Sequence, residues 1–336
     1  MLIARRDFIS LFGAAIAATP RMAAGQPRQL PVIGFLHAAT VESYASNAAG
    51  FAKGLEEQGF AEARNLAMEY RFANGRRDQL GGLAADLVRR PVAVIVAGGA
   101  SAAMAAKSAT ATIPIIMVSG SDATRLGLGA SPNRPGGNVT GVTFTTAGLM
   151  TRRLSFLRDL VPAATTIGYL AEDERAHAPG SPLWLAIADR KSEFRAAAAA
   201  IGWQPVVAEI GGDRDYEAAF ATFAEHHARA LIVASSPLFA SDTDDIVTQT
   251  LRHEIPTLFE RRADVMGAGL ISYGADQMEA WRHGGNYLGR ILMGKRPADM
   301  PVMQSDKLEL VINQAIAKSL DIVVPASLLA MMAYGE

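Results

Sequence analysis

Short apolar runs alternate along this chain with stretches whose apolar residues return every three or four positions. Pro31 to His37, Val92 to Val96, Ile113 to Val118 and Ala230 to Ala234 are apolar almost without interruption, the mark of parallel strands buried on both faces. Leu66 to Phe72 alternates like a strand, and Val139 to Phe144, Thr166 to Leu170, Gln204 to Ile210, Pro256 to Phe259, Gly269 to Tyr273 and Lys307 to Ile312 complete the set. Between them lie helical stripes: Tyr44, Ala48, Phe51 and Leu55; Leu80, Leu83 and Leu87; Leu149, Leu154, Leu157 and Leu160; Trp184, Ile187, Lys191 and Phe194; Met278, Trp281, Leu288 and Leu292. Tyr216 to His227 and Ser241 to Arg252 each read as one helix, and a final helix ends near Leu320. Consecutive parallel strands need helical crossovers, so the class is α/β. The rhythm restarts near Thr145, which predicts two doubly wound sheets and therefore two lobes.

The centre of the pattern is Ala97 to Ser121. A strand runs into Gly98-Gly99, Ser101 opens an alanine-rich helix, and the next strand ends in Ser119-Gly-Ser-Asp122. Helix N-termini carry amides outside the helical ladder, so a carboxylate or other acceptor could be held there. In open parallel sheets ligands sit beyond the carboxyl ends of the strands. With two lobes, those ends can face each other over a cleft that closes by a hinge.

Composition narrows the function classes. The 336 residues suit two domains, half are hydrophobic, and a net charge of -1 gives no global field for nucleic acid or an anionic membrane. Cysteine is absent, which removes disulfides, thiolate metal sites and thiol nucleophiles together. Arg5-Arg6 before the apolar stretch Leu11 to Ala18 and the small residues Ala23-Ala24-Gly25 predict a twin-arginine-like signal peptide over 1–25, cleaved near Ala24 or Gly25, and hence a periplasmic protein. Adjacent His226 and His227 diverge by about 100° on a helix and make no metal set. Gly127-Leu-Gly129 lacks the dinucleotide fingerprint, and neither a P-loop nor a GxSxG elbow occurs. No cofactor and no metal are expected.

Pro135 to Gly141 (PGGNVTG), Ser272 to Gly274, Lys295 to Asp299 (KRPAD), Leu308 to Asn313 (LELVIN) and Val324-Pro325 give the chain a resemblance to the ABC transporter substrate-binding proteins of the tryptophan/tyrosine-binding type. That resemblance implies a type I periplasmic binding protein fold, two Rossmann-like lobes joined by three crossing strands. It also implies a non-catalytic receptor that hands a small solute, aromatic or amino-acid-like, to an ABC permease. The expected lobes are 31–145 plus about 275–300, and 146–274 plus about 301–336, in a monomer. The alternatives are an exported α/β enzyme or a sensory domain serving a signalling partner. A DNA-binding regulator is disfavoured, because the export signal occupies the place of a helix-turn-helix.

The candidate ligand-binding residues are His37, Thr40, Ser101, Ser119, Asp122, Glu172, Ser235, Ser236 and Tyr273. Each has a plainer reading. Ser101 could be an ordinary N-cap, Asp122 could cap its own turn instead of meeting an ammonium, Glu172 could be solvated, and Tyr273 could mark a hinge turn. Tyr44 reads as core. Ala171 to Arg175 and Ser235 to Leu238 depart from the family pattern, which argues against an unmodified amino acid as ligand.

Overall fold

The computed structural model describes residues 30–333 except 130, 134, 145–147 and 268. The expected signal peptide therefore lies outside the described residues. In the first lobe the chain runs β1 (Val32–His37), α1 (Val41–Glu57), β2 (Ala67–Phe72), α2 (Leu80–Val88), β3 (Val92–Gly98), α3 (Ala100–Ala109), β4 (Ile115–Ser119) and β5 (Val139–Phe144). It then crosses to α4 (Met150–Leu160), β6 (Thr166–Glu172), α5 (Pro182–Ala200), β7 (Gln204–Ile210), α6 (Tyr216–Glu225), β8 (Ala230–Val233), α7 (Pro237–Ser241), α8 (Thr243–Arg252), β9 (Thr257–Phe259), α9 (Arg262–Gly267) and β10 (Ile271–Ala275). It returns for α10 (Gln277–Leu292) and β11 (Met303–Ser305), and crosses a third time into β12 (Leu308–Ile312), α11 (Gln314–Ser319) and α12 (Ala326–Ala333).

Two six-stranded sheets result, ordered β11-β5-β4-β3-β1-β2 and β12-β10-β9-β8-β6-β7. All pairings are parallel except β10 with β12, which is antiparallel. This is a type I periplasmic-binding architecture. The run Met303–Ser305 pairs with β5, so the chain leaves the first sheet after Ser305. The helix read at Ser241 to Arg252 is α8, which starts at Thr243; the short α7 before it ends at Ser241, and between them Asp242 is a buried carboxylate that accepts from Tyr216 Oη and Arg214 Nη1, each at 2.7 Å.

The cores follow from the strand patterns. Central strands are apolar on both sides, so the first sheet supports two clusters, one beneath α2 and α3 and one beneath α1 and α10. The second lobe packs around Tyr169, Phe194, Phe220 and Phe259. The PGGNVTG stretch is structural. Asn138 is buried, and its side chain donates to Thr110 and Ile113 carbonyls and accepts from Lys107 Nζ at 2.7 Å. Gly141, at φ +142°, lies so close to the Met117 backbone that no Cβ fits. Among the described residues no helix is long and apolar enough to cross a membrane, and no group of His, Asp and Glu could hold a metal ion.

Candidate functional site

Each sheet reverses its winding beside its first strand, between β1 and β3 in one lobe and between β6 and β8 in the other. At such a point the loops diverge and leave a crevice past the carboxyl ends of the strands. The two crevices meet over one cavity of about 170 Å³. The first lobe contributes His37 from the end of β1, Gly98 to Ser101 from the β3–α3 turn, and Ser119 to Ser121 from the end of β4. The second contributes Glu172 from the end of β6, Ala234 to Pro237 after β8, and one face of α5. A wider compartment of about 640 Å³ adjoins it on the side of the crossing segments. Its charges are largely neutralised in pairs, Lys307 with Asp276 at 3.0 Å and Arg262 with Glu309 at 3.2 Å. Size alone would favour the wider space, but the smaller one lies at both winding reversals and is the candidate binding site, with the wider one as its candidate vestibule.

The β3–α3 turn is built for an acceptor. Gly99 is the N-cap at φ +88°, and the helical ladder begins with Ala103 N–H to the Gly99 carbonyl. The amides of Ala100, Ser101 and Ala102 therefore precede the ladder. Ser101 lies inside the helix and does not cap it. Gly98 has to be glycine, because a Cβ would run into the His37 ring. That ring sits in an aromatic cluster with Phe35, Tyr44 and Trp281. Its Nδ1 accepts from Ala39 N–H at 3.0 Å, which fixes the proton on Nε2. Burial, helped by the Arg261 charge, lowers its pKa from 6.5 to about 4, so at neutral pH the ring is an uncharged donor.

Facing it is a bidentate ion pair between lobes. Arg77, just beyond the end of β2, holds both Glu172 oxygens, one at 2.7 Å, and lies 2.8 Å from His177 Nε2. Burial by itself would raise the Glu172 carboxyl. The hydrogen bond from His177 and the charge of Arg77 outweigh that and hold it below the ordinary carboxylate range. Arg125 and Asp189 also bridge the lobes at 2.7 Å, but both are well exposed and such a pair contributes little.

Six of the nine residues singled out from sequence surround the cavity: His37, Ser101, Ser119, Glu172, Ser235 and Ser236. Ser236 also caps α7 through the Phe239 amide. The other three lie elsewhere. Thr40 caps α1 by accepting from Ser43 N–H and lines the vestibule. Asp122 is exposed and accepts from the Thr124 and Arg125 amides, so it serves its own turn. Tyr273 stacks edge-on against Phe156 within the second lobe, and its carbonyl accepts from Arg153 Nε. Sequence reading missed Arg77, Tyr169, Arg190, Arg261 and Trp281, all of which line the cavity. Arg77 was within reach of the strand-end rule that found His37. On α5 the spacing Leu183, Ala186, Ile187, Arg190 is a second helical stripe, obscured by the core stripe beside it.

Two largely parallel sheets whose carboxyl edges face one another over a cavity, with three crossings between them, define a two-lobed receptor for a small molecule. The chain belongs to the family described as ABC transporter substrate binding protein, whose model matches residues 33–334. It is accordingly a substrate-binding protein and not an enzyme. It is 24% identical over 280 residues to a tyrosine-binding protein of Clostridioides difficile (strain R20291), covering 81% of this chain and 75% of that one. In structure it is similar to an ABC domain in complex with L-Trp from Streptococcus pneumonia, with a TM-score of 0.79, 24% identity, and coverage of 90% of this chain and 98% of that one. It is also similar to the ligand-free, open structure of a substrate binding protein with adhesive properties from Clostridium difficile. There the TM-score is 0.61 with 23% identity, over 88% and 97% of the two chains.

Proposed function

We propose that this protein is the solute-capturing component of an ABC importer in the periplasm. As a monomer it takes a small aromatic or amino-acid-like solute between its lobes, closes by a hinge at the three crossings, and presents the solute to its permease. The observation that carries this reading is the cavity at both winding reversals, where each lobe contributes both hydrogen-bond donors and apolar residues. Phe144, Trp281, Leu183 and Ile187 suit an apolar body, and the α3 amides suit an acidic end. The names of the relatives, tyrosine-binding and L-Trp-bound, agree in ligand size. The Arg77–Glu172 pair would lock the closed form, since it joins lobes that separate on opening.

Mass spectrometry of the molecule released by unfolding freshly purified protein tests this. The expected result is one small compound per chain, recovered chemically unchanged after incubation with ligand-stripped protein. Recovery of a transformed product would overturn solute capture, as would a released molecule that fails to raise the melting temperature when added back.

A further inference from the structure

This inference rests on the cavity being the solute site. Besides Tyr169, the ionisable side chains that line it are His37, Arg77, Glu172, Arg190 and Arg261. Only one of these is an acid, and it is already engaged. Glu172 is held at both oxygens by Arg77 and approached by His177 at 3.4 Å. Asp122, whose turn follows β4, spends its carboxylate on two amides of that turn. An α-amino acid whose carboxylate sat on the α3 amides would bring its ammonium within a few ångströms of them. Among the described residues no uncommitted carboxylate waits there. A buried ammonium without such a partner is strongly disfavoured.

The remaining lining groups are hydrogen-bond donors, although Arg261 is itself paired with Asp264. Behind the α5 wall, Glu260 meets two guanidinium groups, Arg153 at 3.0 Å and Arg190 at 3.9 Å, and Arg190 also donates to the Ser235 carbonyl at 3.2 Å. Arg153 and Glu260 are each about 2% exposed, and Arg190 is the member of the cluster that lines the cavity. Tyr169 is 1% exposed, lines the same cavity, and among the described residues its hydroxyl has no hydrogen-bond partner. With His37 Nε2–H and the α3 amides on the facing lobe, the cavity offers donors on both walls and one acid that is fully committed. The geometry points to an organic carboxylate with an apolar body and no ammonium group as the solute.

Isothermal titration of ligand-stripped protein with matched pairs tests this: L-phenylalanine against 3-phenylpropionate, L-tryptophan against indole-3-propionate, and L-leucine against 4-methylpentanoate. At least one des-amino acid is expected to bind ten times or more tightly than its amino-acid partner. Its primary amide should bind at least tenfold more weakly, and Arg190→Gln should narrow the gap between acid and amide. Amino acids that bind as tightly as their des-amino partners, or tighter, overturn this inference and leave solute capture intact. Failure of every carboxylate to bind also overturns it. Whether solute capture itself fails is read separately, from the identity and chemical fate of the co-purified molecule. The ligand-pair comparison needs no variant, so misfolding of Arg190→Gln cannot mask the outcome.

Discussion

His37 shows how one side chain joins sequence, packing and binding. It ends an apolar strand, turns its ring over Gly98, and spends Nδ1 on the Ala39 amide. Burial first, and Arg261 second, depress its pKa from 6.5 to about 4. Between those values the unfolded chain binds a proton that the folded protein refuses. Stability is therefore intact above pH 6.5 and falls as the pH drops toward 4, by on the order of 3 kcal/mol for this group. In His37→Asn the side-chain oxygen can still accept from Ala39, but nothing titrates. Urea unfolding at pH 7, 5.5 and 4.5 should show a clearly smaller loss in the variant than in the parent. Equal slopes would mean that the ring is solvated and not buried neutral. Residues such as His37, Ser101, Ser119 and Glu172 could be picked from the sequence because an apolar run stops at or just before each of them. Arg190 and Trp281 could not be picked so directly, since a side chain on a helix face is aimed by tertiary packing that spacing alone does not report.

At the scale of elements, most strands and helices were legible, because burial on two faces and burial on one stripe leave different periods in the sequence. Elements defined by their partners were harder. The strand Met303–Ser305 is three residues long and exists through its pairing with β5, and the antiparallel direction of β12 leaves no periodic trace. The second terminal helix, α12, was not foreseen, and the break between α7 and α8 at Asp242 depends on Tyr216 and Arg214 from another segment. The contact of α1 with α10 is the clearest case of sequence serving packing. Glycines on both helices let the backbones meet: a Cβ at Gly54 would overlap the Arg282 carbonyl, and one at Gly285 would overlap that of Phe51. Gly81 and Gly82 of α2, in contrast, have nothing near a Cβ. Gly54→Ala should destabilise the protein by about 1–3 kcal/mol, because the obstacle is backbone and cannot swing aside. Gly81→Ala should be neutral or stabilising by up to about 1 kcal/mol. Chemical denaturation of the two variants checks both, and an equal response would dismiss the close-packing explanation.

For the whole molecule, the proposed hinge motion would turn on the three crossings and the ion pairs between lobes. Asp276 ties two crossings together, its amide donating to the Lys307 carbonyl at 2.9 Å and its carboxylate pairing with the Lys307 ammonium. Beyond these crossings, Arg77–Glu172 and the Arg214 contact to the Asn74 carbonyl at 3.4 Å join the lobes around the cavity. Opening would replace these with water, and a ligand that touches both walls would oppose it through contacts available only in the closed form. The sequence announced two lobes by its restart near Thr145, but it gave no sign of which charges would meet across them. Those partners are 95 residues apart in the case of Arg77 and Glu172.

The central claim is capture by closure, and an inter-lobe distance tests it most directly. The chain has no cysteine, so Lys53→Cys on α1 and Ser192→Cys on α5, both exposed, provide an unambiguous pair of spin-label sites. Pulsed electron–electron resonance on stripped protein should give a broad distance distribution that narrows and shortens when the co-purified molecule is restored. A distribution unchanged at saturating ligand would contradict closure around the solute.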